Sequence, residues 1–378
     1  MKKNIKVTYL QTISEEFLSP VLEIWNTKFP KMGIYALIPE AEKDKLSIVQ
    51  ETFRKKNIQL VGGIFPELIH DNQFKKEGIL LFCFEAMPIF QLYEDLSEGG
   101  ISIAKQLSNH LGKNEDESLF LLFDAMVPNI STLLDEIYLE LANRVHYFGA
   151  NAGSESFQPM PCLFDGNRLL GNGLLALILP NHKGAVLEHG YHVPEQTFFA
   201  TSTSGNRIIQ IDWKPAFEVY QELVYKQFGV TINQSNFYEL AVHYPFGIVR
   251  ASDQVVVRIP VALQEDGSLF CVGEVKENSI LTLLECPIVD SKKTLDVIHS
   301  GVTTLNGETE NKEISIFYCA GRRLHLGKEN AEKELLDFSE LTKASSISGA
   351  LSLGEIGGST IQGYPSFQNA TIVATSWQ

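Results

Sequence analysis

One order of elements occurs twice in this chain and constrains the fold more than any other feature. Residues 119–126 (LFLLFDAM) are an apolar run of strand length. Residues 129–143 set Leu133, Ile137 and Leu141 on one helical face, and 145–148 return as a strand ending in the glycine cluster 149–153 (GANAG). Far downstream, 314–319 read as a strand, 331–341 as a helix, 350–353 as a strand ending in 354–358 (GEIGG), and 370–376 as the last strand. Phe120 to Phe148 spans 28 positions and Ile316 to Leu353 spans 37, so the match is one of order rather than of sequence. A pseudo-duplication is the structural expectation: an α+β (mixed α/β) fold of two related β-centred halves with helices packed outside.

The remaining segments fit that frame. Over the first 125 residues, strand runs at 5–10, 33–38, 58–65 and 78–84 alternate with helical stretches at 21–29, 40–56 and 101–111. Ser19-Pro20 reads as an N-cap and first-turn pair. Asp165-Gly166 is the turn signal of a polar hairpin, with a further strand at 173–179. The middle is β-rich: 197–211 turns at Ser204-Gly205-Asn206, 215–228 is a helix, and 254–262, 269–272 and 279–285 are strands, after which 292–300 begins a helix. With 378 residues and a break near 229–236, the expected division is 1–228 and 229–378.

Composition and motif tests remove several function classes. The charge is 31 − 46 = −15, which repels phosphate backbones, so no nucleic-acid or anionic-membrane partner is expected. The five cysteines (83, 162, 271, 286 and 319) form no CxxC, and reduced buried thiols are the expectation. Acidic residues follow the N-terminal lysines before any long apolar run, and no stretch approaches the ~20 apolar residues of a membrane span, so a soluble cytoplasmic chain is expected. A phosphate-binding GxxxxGK[ST] loop, an HExxH pair and a GxSxG elbow are all missing; Gly171-x-Gly173 lies between strands rather than at a helix start.

Three clusters carry candidate chemistry. Gly149 and Gly153, and Gly354, Gly357 and Gly358, sit at strand exits, where bare backbone either approaches a ligand or makes a tight turn. Cys319 with Arg322-Arg323 (FYCAGRRLHLG) offers either a thiol of lowered pKa beside cations and a guanidinium clamp for a carboxylate, or a buried cysteine with solvated arginines. His189 and His192 (EHGYHVPE) lie in an extended or turn segment, where the pair diverges; each is either packed or a single axial donor. Equivalent strand exits in two related halves face a shared interface. Gly149, Asn151, Gly153, Cys319, Arg322, Gly354 and Glu355 are therefore expected to converge on one ligand-binding pocket.

These stations, taken in order, resemble the FIST family. YPFGI, VVVRIPVALQEDGSLFCVGEVKENSILTLL, FYCAGRRLHLG, GEIGG and FQNATIVA are similar to the FIST C-terminal domain. HYFGANAG, LFDGNRLLGNGLLALIL, HGYH and GNRIIQIDWKPAFEVY are similar to the N-terminal one. The resemblance covers roughly 55–378. Two stations depart from it: the early strand ends Gly62-Gly63-Ile64-Phe65-Pro66 instead of in a small-residue loop, and the proline after His189-Gly190 comes late. The resemblance implies an intracellular sensor that binds a small-molecule ligand and regulates a signalling protein such as a histidine kinase. No F-box-like or kinase-like segment is present in the sequence, so the expected output is contact with another protein. One branch of the family implies a haem-based nitric oxide sensor. There His192 would be the axial metal donor and His189 its neighbour, walled by Tyr191, Val193, Phe198 and Phe199, with Arg207, Arg322 or Arg323 for the propionates. Two other classes stand beside the sensor: an enzyme using Cys319 as nucleophile, and an interaction scaffold without a ligand.

Overall fold

The computed structural model describes residues 5–112, 117–250, 254–285, 291–358 and 364–377. Its first unit runs β1 (Lys6–Leu10), α1 (Glu15–Lys28), β2 (Gly33–Pro39), α2 (Leu46–Lys55), β3 (Gln59–Phe65), the hairpin β4 (Leu68–His70) and β5 (Gln73–Lys75), and β6 (Ile79–Phe84). The same series follows as β7 (Ile89–Tyr93), α3 (Gly99–Ser108), β8 (Glu117–Asp124), α4 (Ile130–Leu141), β9 (His146–Ala152), β10 (Leu163–Asp165), β11 (Leu169–Leu170) and β12 (Leu174–Pro180). A third begins at β13 (Val186–Glu188) and is then interrupted. The insertion holds β14 (Phe198–Ser204), β15 (Arg207–Ile211), β16 (Lys214–Pro215), α5 (Ala216–Phe228), α6 (Phe237–Ala241), β17 (Phe246–Val249), β18 (Val255–Arg258), β19 (Pro260–Leu263), β20 (Leu269–Cys271) and β21 (Ile280–Leu283). The third unit resumes with α7 (Ser291–Asn306), β22 (Glu313–Cys319), α8 (Ala320–Leu326), α9 (Lys328–Thr342), β23 (Ser346–Ser352), β24 (Glu355–Gly357), β25 (Ser366–Gln368) and β26 (Ile372–Ser376).

The fold is α+β, and the recurrence seen in the sequence at 119–179 and 314–376 extends to the first unit, making three copies. In every unit two central strands lie parallel (β2 with β3, β8 with β9, β22 with β23). The first of each pair is antiparallel to the unit's last strand, which carries the unit's opening strand at the edge. Each hairpin leaves its own unit. Strand β4 pairs with β23, β10 with β3, and β24 with β9, so the three sheets exchange strands in a ring. Strands from both sides of residue 228 therefore share sheets.

One residue type makes the shared register visible. Gly62, Gly149 and Gly349 face Ala36, Leu121 and Ile316 across the parallel pairs. A Cβ at those glycines would stand 2.0, 1.8 and 1.7 Å from the facing carbonyl oxygens, so the close strand approach requires glycine in each unit. The central strands are buried on both faces, which explains their continuous apolar runs. Tyr35, Phe65, Phe120, Phe148, Phe317 and Trp377, drawn from all three units, meet in one aromatic core, with Phe120 stacked on Phe317 at 5.8 Å.

The insertion is an eight-stranded antiparallel sheet whose two edges, β18 and β19, are consecutive along the chain. It rolls into a barrel-like body, against which α5 lays Val219, Tyr220 and Val224. The Ser204-Gly205-Asn206 turn is formed as expected, joining β14 to β15.

Two local expectations shift. Helix α1 starts at Glu15 with Ser14 at its cap, leaving Pro20 inside it, because the buried stripe Leu18, Leu22, Trp25 begins before the proline. Residues 40–56 open with a 3₁₀ segment, Glu40–Lys45, before α2. Cys83, Cys162, Cys271 and Cys319 are free and buried, and Cys286 lies outside the described residues. Among the described residues no helix is long and apolar enough to cross a membrane.

Candidate functional site

Strand β22 ends at Cys319, whose backbone (φ −64, ψ 131) turns the chain into α8. The next two residues, Ala320 and Gly321, are too small to fill the space beside the barrel. The opposite wall is Ile259, Pro260 and Val261, at the bend between β18 and β19, with Tyr238 and Val242 from α6 and its exit. Leu353, from the loop after β23, closes one side. The enclosed cleft has a volume of about 290 Å³, and polar lining comes chiefly from Glu155, Asn369 and the Cys319 thiol. Crevices at the carboxyl ends of parallel strands are where α/β sheets ordinarily take ligands.

Beneath the cleft lies a buried polar layer. Cys319 Sγ accepts the Ala370 N–H at 3.0 Å, and burial, with the neighbouring Glu355 carboxyl, pushes the thiol far above its usual range. The Glu355 carboxyl accepts the hydroxyls of Ser352 at 2.5 Å and Thr371 at 2.7 Å, and its burial pushes its pKa up to about 7, against the opposing effect of those hydrogen bonds. A thiol held protonated by burial is a wall group and not a nucleophile, so the geometry does not supply the thiolate that a Cys319 enzyme needs. The Asn369 amide is fixed by the strand wall: its Oδ1 accepts the Ile259 N–H at 3.3 Å.

The residues singled out from the sequence occupy three levels of this arrangement. Cys319 lines the cleft and Glu355 sits behind it. Asn151, Gly153 and Gly354 meet at the strand exits below: Asn151 N–H donates to the Gly354 carbonyl at 2.8 Å, and Leu353 N–H to the Asn151 carbonyl at 3.0 Å. Gly153 and Gly354 have φ of +135 and +145, turns open to glycine. The Asn151 side chain is 1 % exposed and neither its oxygen nor its nitrogen has a hydrogen-bond partner among the described residues. Gly149 is committed to the close approach of Leu121.

Arg322 turns away from the cleft. It is buried in a two-point pair with Glu334 (2.6 and 2.8 Å) and donates to the His189 carbonyl at 2.7 Å. Arg323 is likewise met by Glu67 at 2.6 Å and Glu155 at 2.8 Å. Neither guanidinium is left to clamp a ligand carboxylate.

The two histidines do not meet the needs of a haem. The His192 side chain is 73 % exposed and pairs with Glu285 at 2.8 Å, while His189 Nδ1 accepts the Tyr191 N–H at 2.9 Å. Neither lines the apolar cleft, and the two diverge as extended backbone requires. The described residues hold no group of three or more His, Cys, Asp or Glu placed to hold a metal.

Sequence reasoning did not find most of the walls. Val242, Ile259, Val261, Val272 and Leu324 are ordinary apolar residues from separate elements, and no local pattern marks them. It also missed a pair next in sequence to the wall residues Val242 and Leu324: His243 Nδ1 and His325 Nδ1 are 2.7 Å apart, tying the segment after α6 to α8. Burial pushes the His325 pKa down to about 4, with His243 adding to it, so this contact belongs to neutral rings.

Two family models match the chain: the FIST N domain over residues 37–214 and the FIST C domain over residues 216–358. No curated protein matches it.

Proposed function

Because the chain belongs to the FIST family, a family of sensory domains, we propose that it is a small-ligand sensor with the apolar cleft at the end of β22 as its ligand site. The observation that carries this reading is the cleft itself: about 290 Å³ between small residues of α8 and apolar barrel residues. That volume lies at the lower edge of the ~300–1,000 Å³ usual for ligand pockets, so the ligand is compact and mostly apolar, with one polar group toward Asn369 or Glu155. A haem is not part of the proposal.

The output is read at the rim. Tyr238 on α6 is 75 % exposed and Leu324 on α8 is 58 % exposed, and both also line the cleft. A ligand wedged between α6 and α8 shifts the spacing of those side chains, and a signalling partner such as a histidine kinase senses the change by touching them. A cytoplasmic location accords with that role.

Native mass spectrometry of the protein purified from its own host tests the proposal. The expected result is a mass increment on the wild type that is lost when Ala320→Phe fills the cleft floor. Leu324→Trp, at an exposed rim position, repeats the test without disturbing the core. A bare polypeptide mass for the wild type would instead support a scaffold that takes no ligand.

A further inference from the structure

The barrel leans over a second cleft, beside α4 of the second unit, with a volume of about 450 Å³. Its chemistry is the reverse of the first. Arg258, Arg250, Lys276, Asp135, Ser131 and Tyr364 line it. Arg258 is 1 % exposed, and its donors go to four neutral acceptors: the carbonyls of Glu274 (3.0 Å), Val257 (2.9 Å) and Phe367 (2.9 Å) and the hydroxyl of Ser131 (3.0 Å). A guanidinium carries five N–H groups, so one remains, and its charge has no carboxylate in contact among the described residues. Arg250 lies over the Tyr364 ring at 5.4 Å and likewise makes no ion pair among the described residues.

The acids nearby are already committed. The Glu274 carboxylate accepts the Thr132 N–H at 2.9 Å and its hydroxyl at 2.7 Å. Asp135 accepts from both Lys276 and Tyr364. Burial lowers the Arg258 pKa to about 10; the like charge of Arg250 works in the same direction, while Cys271 and the carboxylates of Glu274 and Asp135 oppose it from a distance. A buried charge without a counter-ion in contact is unfavourable. The neutral acceptors and the Phe367 ring, 5.4 Å from the guanidinium, account for Arg258 as a tie between the barrel, β25 and α4, but none of them carries a negative charge.

We infer that this cleft is a second binding site, for a compact oxyanion held between Arg258 and Arg250. A carboxylate and a phosphate share the required chemistry, since the oxygens of either accept both the one remaining Arg258 N–H and the paired donors of the Arg250 fork. The chain as a whole carries −15, so nothing in its general field gathers anions here; the selectivity is local. This inference is independent of the sensor reading, because the two clefts share no lining residue.

Calorimetric titration of the full chain with sodium phosphate and with sodium acetate, against sodium chloride at matched ionic strength, tests it. The expected result is saturable binding of at least one oxyanion, weakened at least tenfold in Arg250→Gln and in Arg258→Lys. The exposed-arginine variant Arg54→Gln should bind as the wild type does. Preference for phosphate or for acetate identifies the ligand as a phosphate compound or an organic acid. Arg250 is only partly buried, so its variant keeps the test readable if Arg258→Lys fails to fold. Heats no larger than those of chloride overturn the inference, as does undiminished binding in Arg250→Gln.

Discussion

The apolar cleft and the charged cleft lie at corresponding places: each opens beside the helix that follows the first central strand of its unit, α8 after β22 and α4 after β8, and each is roofed by the same barrel. Their difference comes from neighbours on one segment of the roof. Arg258 enters the charged cleft, while Ile259, Pro260 and Val261 wall the apolar one. The strand ends differ in the same sense. Cys319 closes β22 with a buried thiol. Asp124 closes β8 with a carboxylate that accepts the N–H groups of Met126 at 2.8 Å and Asn172 at 2.5 Å. At the first unit the corresponding end is covered instead, where the loop after β9 brings Ser154 onto Glu40 at 2.8 Å. A repeated backbone thus produces repeated openings, and the insertion decides which stay open and what they hold.

The largest effect tests whether the two units are equivalent. Gly149→Val and Gly349→Val place branched side chains against the same backbone carbonyl position. Each should destabilise the chain by about 3–5 kcal/mol in denaturant melts. A large cost at one and a negligible cost at the other would break the equivalence on which the comparison of clefts rests.

A smaller effect is specific to the floor of the apolar cleft. Folded Glu355 has its pKa raised to about 7, above the ~4.3 of an exposed glutamate. Its contribution is therefore intact below about pH 4.3 and is lost as pH rises through 7. Glu355→Gln removes that titration while keeping an acceptor and a donor for Ser352 and Thr371. The variant should gain on the wild type between pH 5 and 8, by on the order of 3 kcal/mol. Parallel stability profiles would show that the carboxyl is not held neutral.

The smallest effect concerns reactivity alone. Mass-mapped alkylation of native protein should modify Cys319 slowly, with an apparent pKa above the free thiol value of about 8.5. Fast alkylation with a lower pKa would restore the nucleophile and turn the apolar cleft into an active site.

Much of this was legible before the structure. The strand–helix–strand order at 117–180 and 313–376, the glycines at the strand exits and the stations of the FIST domains all stand in the sequence. The first unit escaped notice because its second parallel strand exits through Ile64-Phe65-Pro66, without the glycine cluster that marks the strand exits of the other two. Arg322 looked available because its partner, Glu334, lies on the next helix, twelve residues on; sequence shows a cation without showing what meets it. Arg258 gave the opposite signal. Inside VVVRIPVAL it reads as one residue of a strand, and only the packing reveals a charge facing a cavity. Clefts are assembled from residues far apart in the chain, so their walls have no local signature.

The exchange of hairpins also sets the order in which the chain can become native. Strand β4 is synthesised long before its partner β23; the His70 to Ser348 contact joins residues 278 apart. The edge of β9 likewise waits for β24. The first sheet can close once β10 and β11 have emerged, but the second waits for β24 and β25 and the third joins β4 to strands far downstream, so folding cannot proceed strictly unit by unit. Closure of such distant pairs is entropically slow, and it leaves strand edges exposed during synthesis. The ring of exchanged hairpins is complete only when the last strands pair.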